Sequence, residues 1–125
     1  MVRIIPVLSI FLLFFVQISS SSVSRRMAFA KPGARLEIDF YETPKNITRL
    51  VYNAKDVQQT HVYRICNGNN QKKCGFWENV KNKQKVGPKT NFNKKTNKLV
   101  IPKARKLDAG EYYVDRMDIV TVYVM

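Results

Sequence analysis

From Arg35 to Phe40 the chain alternates charge with apolar bulk, Leu36, Ile38 and Phe40 being interleaved with Arg35, Glu37 and Asp39. A period of two puts one set on a core face and sends the other, Glu37 and Asp39 included, into water, as a half-buried strand requires. Comparable short runs recur along the chain. Ile47 to Tyr52 is β-branched and aromatic and follows a Thr43-Pro44-Lys45-Asn46 turn. His61 to Cys66 runs into Asn67-Gly68-Asn69-Asn70, whose Asn-Gly pair tolerates the positive φ angles of a tight hairpin, so Cys74 to Val80 is expected as the returning strand. Gly87-Pro88 punctuates the chain before Thr90-Asn91-Phe92 and Leu99-Val100-Ile101. Two closing strands are expected around Tyr112 to Val114 and from Ile119 to Val124, joined by Asp115 to Asp118. No stretch carries helical periodicity, and many short strands separated by turn signals predict an all-β sandwich or barrel.

The N-terminus bears on compartment. Arg3 precedes an apolar stretch from Ile4 to Val16, interrupted only by Pro6 and Ser9, and a small-residue zone from Gln17 to Ser24 follows. A run of about 13 residues is too short for the roughly 20 that span a bilayer as a helix, so residues 1–24 read as a cleaved signal peptide and 25–125 as one secreted domain. No stable membrane insertion is expected of the mature chain. In an oxidising route Cys66 and Cys74, close in sequence, are expected to form a disulfide, worth roughly 2–3 kcal/mol on a chain-entropy model. Asn46-Ile47-Thr48 is an N-glycosylation sequon, which would make Asn46 solvent-facing.

The segment from Leu99 to Val114 holds the most specific pattern: Leu99-x-Ile101, Ala104, Asp108-Ala109-Gly110 and Tyr112. Their spacing resembles the E strand, E–F turn and F strand of immunoglobulin domains. Gly33-x-x-Leu36-x-Ile38-x-Phe40 resembles the B strand of that family. The resemblance implies an immunoglobulin-like antiparallel β-sandwich in which the Tyr112 hydroxyl bonds backbone just upstream, Gly110 permits a tight turn, and Asp108 pairs with a basic residue, for which Lys89 is the candidate. It is similar to the small one-domain secreted proteins of nematodes and other invertebrates. The family's inter-sheet disulfide is missing, since Phe40 and Val114 stand where its cysteines would be. The resemblance therefore implies an apolar Phe40–Val114 contact across the core. It also implies that Leu50 or Tyr52 fills the place of the family's core tryptophan, because Trp77 comes too late in the chain.

Lys+Arg number 22 against 9 Asp+Glu, a formal charge of +13. For an exported domain the natural polyanions are sulfated glycans and anionic surfaces, and no nucleic-acid partner is expected. Lys81, Lys83, Lys85, Lys94, Lys95 and Lys98 lie in a stretch from Lys81 to Lys106 without a carboxylate, and they form the expected polyanion-binding surface. Phe76 and Trp77, after the disulfide-pinned turn, are the expected protein-binding anchors. Catalysis finds no constellation: His61 is alone and reads as a partly exposed strand residue, and a metal site would need more soft ligands than it supplies. No enzyme activity and no cofactor are expected. The sequence thus predicts an extracellular binding module for a cell-surface receptor or matrix protein, with a cationic effector of anionic or microbial surfaces as the alternative.

Overall fold

The structure, a computed structural model, describes residues 24–115 and 118–125, and the expected signal peptide lies outside the described residues except for Ser24. Ten strands follow one another: β1 (Ser24–Ala30), β2 (Leu36–Asp39), β3 (Asn46–Tyr52), β4 (Gln58–Arg64), β5 (Trp77–Asn79), β6 (Lys85–Val86), β7 (Asn91–Asn93), β8 (Lys98–Ile101), β9 (Gly110–Asp115) and β10 (Asp118–Val124). They form a seven-stranded sheet in the order β1-β10-β9-β3-β4-β5-β6 and a three-stranded sheet in the order β2-β8-β7. The all-β expectation holds. Among the described residues the helical content is two 3₁₀ turns, Gln71–Lys73 and Lys106–Asp108.

Between the sheets lies one core. Leu36 and Ile38 from β2 pair with Ile101 and Leu99 of β8, and these four join Ile47, Tyr63, Trp77, Tyr112, Val120 and Val122 of the larger sheet in one buried cluster. The inward residues of β2 alternate with Glu37 and Asp39 as the sequence pattern requires. Strand β1, which the basic start of the domain did not suggest, runs parallel to β10 from Ser24↔Asp118 to Ala30↔Val124. Its inward positions hold Ala28 and Ala30, small enough to pack on the core without giving a strong apolar signal.

Several expectations need correction. Phe40 is buried, but Val114 is 38% exposed, so the two do not meet across the core. Val114 shares a face with Tyr112 yet sits near the end of β9, and the ring beside Phe40 is Phe92, with centroids 6.4 Å apart. Leu50 and Tyr52 have the outward parity of β3, so neither replaces a core tryptophan. Trp77 does: it is fully buried, edge-on to Tyr112 at 5.7 Å, and its Nε1 donates to Thr90 Oγ1 at 2.7 Å. Sequence order misled here because tryptophan reaches the core from β5, two strands over from β3.

The Cys66–Cys74 disulfide is present, with Cα atoms 5.0 Å apart. It closes a loop rather than stapling a tight hairpin, since β4 ends at Arg64 and β5 begins at Trp77. The asparagines explain the difference. Asn67 Oδ1 accepts from Asn69 N and Asn70 Oδ1 from Asn67 N, while Asn70 Nδ2 donates to the Ile65 carbonyl. Side chains that bond their own backbone in this way build a local turn network in place of a two-residue hairpin.

Gly110 is required for a reason other than the expected turn. It opens β9 opposite Val51, at φ 156°, and a Cβ there would lie 2.1 Å from the Leu50 carbonyl oxygen. The clash is with backbone, so only a shift of β3 against β9 could relieve it. Gly110→Ala should therefore cost about 3 kcal/mol or more, read as a lowered midpoint in urea unfolding. A loss within experimental error of zero would show that β3 and β9 approach less closely.

Candidate functional site

Polar groups converge most tightly around Arg49, which is fully buried in the middle of β3. Pairing places Arg49 between His61 of β4 and Tyr112 of β9 on the inner face. Its Nε donates to His61 Nδ1 at 3.0 Å, and Nη1 donates to Asp108 Oδ1 at 3.1 Å and to the Tyr112 hydroxyl at 2.9 Å. Nη2 donates to the Gly87 carbonyl at 3.1 Å, and the guanidinium lies 4.3 Å above the Trp77 ring. Tyr112 in turn donates to the Asp108 carbonyl at 2.6 Å. Lys89, the expected partner of Asp108, is exposed. Asp108 is instead held by Arg49 and by Arg105, whose backbone N and Nη2 reach it at 2.8 and 3.0 Å. A planar guanidinium can meet several acceptors at once in a dry site, which a lysine ammonium cannot.

His61 belongs to this cluster and is buried, contrary to its expected partial exposure. Because Nδ1 accepts from Arg49, the ring proton sits on Nε2, which faces Gln59 Oε1 at 3.1 Å. Burial, with the Arg49 charge second and opposed by Asp108, lowers the His61 pKa to about 4. Burial likewise raises Tyr112 to about 12, so its hydroxyl keeps its proton. The cluster is closed to water and its donors are satisfied. Perturbed groups with no access to a substrate hold a fold; they do not turn over a reactant. Among the described residues no group of three or more His, Cys, Asp or Glu could hold a metal ion.

Surfaces open to a partner lie elsewhere. The outer face of the seven-stranded sheet carries Met27 and Phe29 of β1, Tyr52 of β3 and Tyr123 of β10, with Phe29 63% and Tyr52 51% exposed. Phe29 and Tyr123 face each other across the β1–β10 pair and stack at 5.2 Å and 17°. A depression of about 390 Å³ lies beside them, lined by Leu50, Tyr52, Glu111, Thr121 and Tyr123. Sequence reasoning missed this face because its residues come from strands far apart in the chain. The alternation Arg25-x-Met27-x-Phe29 was the available signal.

The expected site residues are only partly brought together. Trp77 belongs to the core and offers no surface, which corrects its assignment as a protein-binding anchor. Phe76 is half-buried, with Lys85 Nζ 5.2 Å from its ring centre. Lys81, Lys83, Lys85, Lys94 and Lys95 are exposed, but they divide between the β5–β6 turn of one sheet and the β7–β8 turn of the other. Lys98 has carboxylate neighbours, Glu37 at 3.6 Å and Asp39 at 3.8 Å, so the lack of acids along the sequence does not hold in space. Except for Arg25, each described arginine is ion-paired, whereas Lys98 is the one lysine that is. Asn46 is exposed at the start of β3.

The chain matches no family model and no curated protein. Among the described residues no helix is long and apolar enough to cross a membrane.

Two outcomes follow for the cluster. Arg49→Met should cost about 3–5 kcal/mol, because Asp108, Tyr112 and His61 lose a partner inside a dry core. Chemical denaturation would show it, and a loss below about 1 kcal/mol would mean the cluster contributes nothing that packing cannot replace. The second concerns acid. An unfolded chain binds a proton on His61 near pH 6.5 while the folded chain refuses it until about pH 4, so stability declines as pH falls through that window. Unfolding free energy should drop by about 2 kcal/mol between about pH 7.5 and pH 5, and His61→Gln should flatten most of that slope.

Proposed function

We propose that this chain is an exported, immunoglobulin-like β-sandwich that acts as an extracellular binding module, recognising a cell-surface or matrix protein through the outer face of its seven-stranded sheet. Lysines outside that face add salt-sensitive attraction to sulfated glycans. The observation that carries the reading is the row of exposed aromatic and apolar side chains, Met27, Phe29, Tyr52 and Tyr123, on a regular sheet. Large rings on rigid strands lose little entropy on binding and are the commonest anchors of protein interfaces. The charges of this face are of both signs, Arg25, Glu111, the paired Arg64 and Glu78, and Lys85 beside Glu78, on a molecule that is otherwise strongly basic.

Further features support the reading. The apolar leader and a closed disulfide suit an oxidising export route. The Tyr112 hydroxyl bonded to the Asp108 carbonyl is the corner that the immunoglobulin resemblance implies. A glycan on Asn46 would stand at the opposite end of β3 from Tyr52, about 20 Å away at the rise of a strand, and would leave the aromatic end free. A cationic effector of anionic or microbial surfaces would need several Lys or Arg among its apolar residues, and the outer faces of β1, β3 and β10 carry one, Arg25.

Proximity labelling on intact cells tests the proposal, using the exported protein with and without enzymatic removal of sulfated glycans. Labelling of a protein receptor should persist after glycan removal. It should fall about tenfold or more in a Phe29→Ser, Tyr52→Ser, Tyr123→Ser variant that keeps the parent's unfolding midpoint. Labelling that survives the triple substitution, or that vanishes with the glycans, would overturn it.

A further inference from the structure

Beside the disulfide loop a cleft of about 530 Å³ is lined by Phe76, Lys85, Gly87, Pro88 and Lys89, among others. Its walls are fixed. Phe76 follows Gly75, whose N–H donates to the Arg64 carbonyl at 2.9 Å and whose position lies against Cys66 of the disulfide. Opposite, the Gly87 carbonyl is bonded to the buried Arg49, and the Pro88 carbonyl accepts from Thr90 Oγ1 at 3.0 Å. A cleft tied to the core at both walls costs little ordering when it is filled.

Its charge is one-sided. Lys85 pairs across the strands with Glu78, but that carboxylate is held by Arg64 at 2.8 Å. Lys85 and Lys89 have no ion-pair partner among the described residues. Behind Gly87, two guanidiniums, Arg49 and Arg105, share the single carboxylate of Asp108, which leaves an excess positive charge. Arg105 uses Nε and Nη2 on Asp108, and its Nη1 lies 3.5 Å from where a Cβ on Gly87 would be. The Lys85 ammonium, 5.2 Å from the Phe76 ring centre, and the Lys89 ammonium line the cleft, with the Arg105 guanidinium behind Gly87, and together they suit an anionic group carried on a ring with an apolar face.

We propose that this cleft is a subsite for one sulfated sugar residue, the C–H face of the sugar lying on Phe76 and its sulfate drawn to Lys85, Lys89 and the Arg105 side. The inference rests on the polyanion part of the function proposed above and makes it local. Diffuse attraction by lysines would be indifferent to Phe76; a built subsite is not. The cleft volume falls within the range of about 300–1,000 Å³ typical of small-ligand sites.

The test is calorimetric titration of the intact exported protein with a heparin-derived hexasaccharide, its fully desulfated counterpart and a hexaglutamate peptide, across a salt series. Phe76→Leu, which keeps apolar bulk without the ring, should weaken hexasaccharide binding about fivefold or more while leaving the salt slope unchanged. Lys85→Gln with Lys89→Gln should lower that slope by roughly one to two, and Lys94→Gln with Lys95→Gln should weaken binding less. Desulfated sugar should bind far more weakly. If Phe76→Leu binds like the parent, or the desulfated sugar or hexaglutamate binds as tightly, the subsite is wrong while polyanion attraction stands. Absence of any hexasaccharide binding at physiological salt would remove both, leaving the receptor face to be judged by its own variant.

Discussion

A guanidinium cut off from water must have its charge and its N–H groups answered by protein, and in this chain the answers come from three other strands of the larger sheet and from two of the segments that join the sheets. Arg49 stands on β3 and binds His61 on β4, Tyr112 on β9, Asp108 in the 3₁₀ turn before β9, and the Gly87 carbonyl in the link from β6 to β7. Trp77 of β5 covers its face. Two of these partners lie in segments that join one sheet to the other, so the position of the guanidinium fixes how the two sheets are connected as well as how the larger one is registered. A one-residue slip of β3 would turn Arg49 to solvent and leave Asp108 and His61 without it. Buried ion pairs are poor contributors to net stability compared with apolar packing. Here the cluster is better understood as a device that selects one register.

Placing the arginines in pairs has a consequence for the surface. The carboxylates of this chain are few, and Glu37, Glu78, Asp108 and Asp118 are taken up by Arg26, Arg35, Arg49, Arg64 and Arg105. The net charge of +13 therefore resides chiefly on exposed lysines, most of them in turns and loops, where it is hydrated. Such charge attracts polyanions over a distance limited by salt and gives little selectivity by itself. In the proposed function selectivity comes from two fixed features: the aromatic outer face of the seven-stranded sheet, and the cleft whose walls are tied to the disulfide loop and to Arg49.

The strands were largely legible and the site was not, for different physical reasons. Alternation at Leu36, Ile38 and Phe40 is local, and burial of one face follows from it. Cys66 and Cys74 are near enough in sequence for their pairing to be read from proximity. By contrast, Val114 is apolar and in phase with Tyr112, yet it is exposed, because depth in a core depends on where the opposing sheet ends. His61 and Trp77 looked like surface groups because their shelter comes from segments distant in the chain. The Phe29–Tyr123 stack joins residues from the two ends of the domain.

What the sequence determined by itself was what neighbours along the chain set: an all-β fold, the alternation of β2, the disulfide and the strong positive charge. Arg105 holds Asp108 from three residues away, but that Arg49 would hold it as well was decided only by tertiary structure. Lys89 was the candidate that the resemblance offered, but a lysine is a strongly hydrated point charge, whereas the dry centre of the sheet calls for a planar donor that can bond several acceptors together. Pairing of β3 with both β4 and β9 delivers Arg49 to that centre. The same pairing turns Leu50 and Tyr52 outward, so one register chooses both the interior cluster and the exposed face, and no local pattern specifies the register between β3 and β9, which lie far apart in the chain.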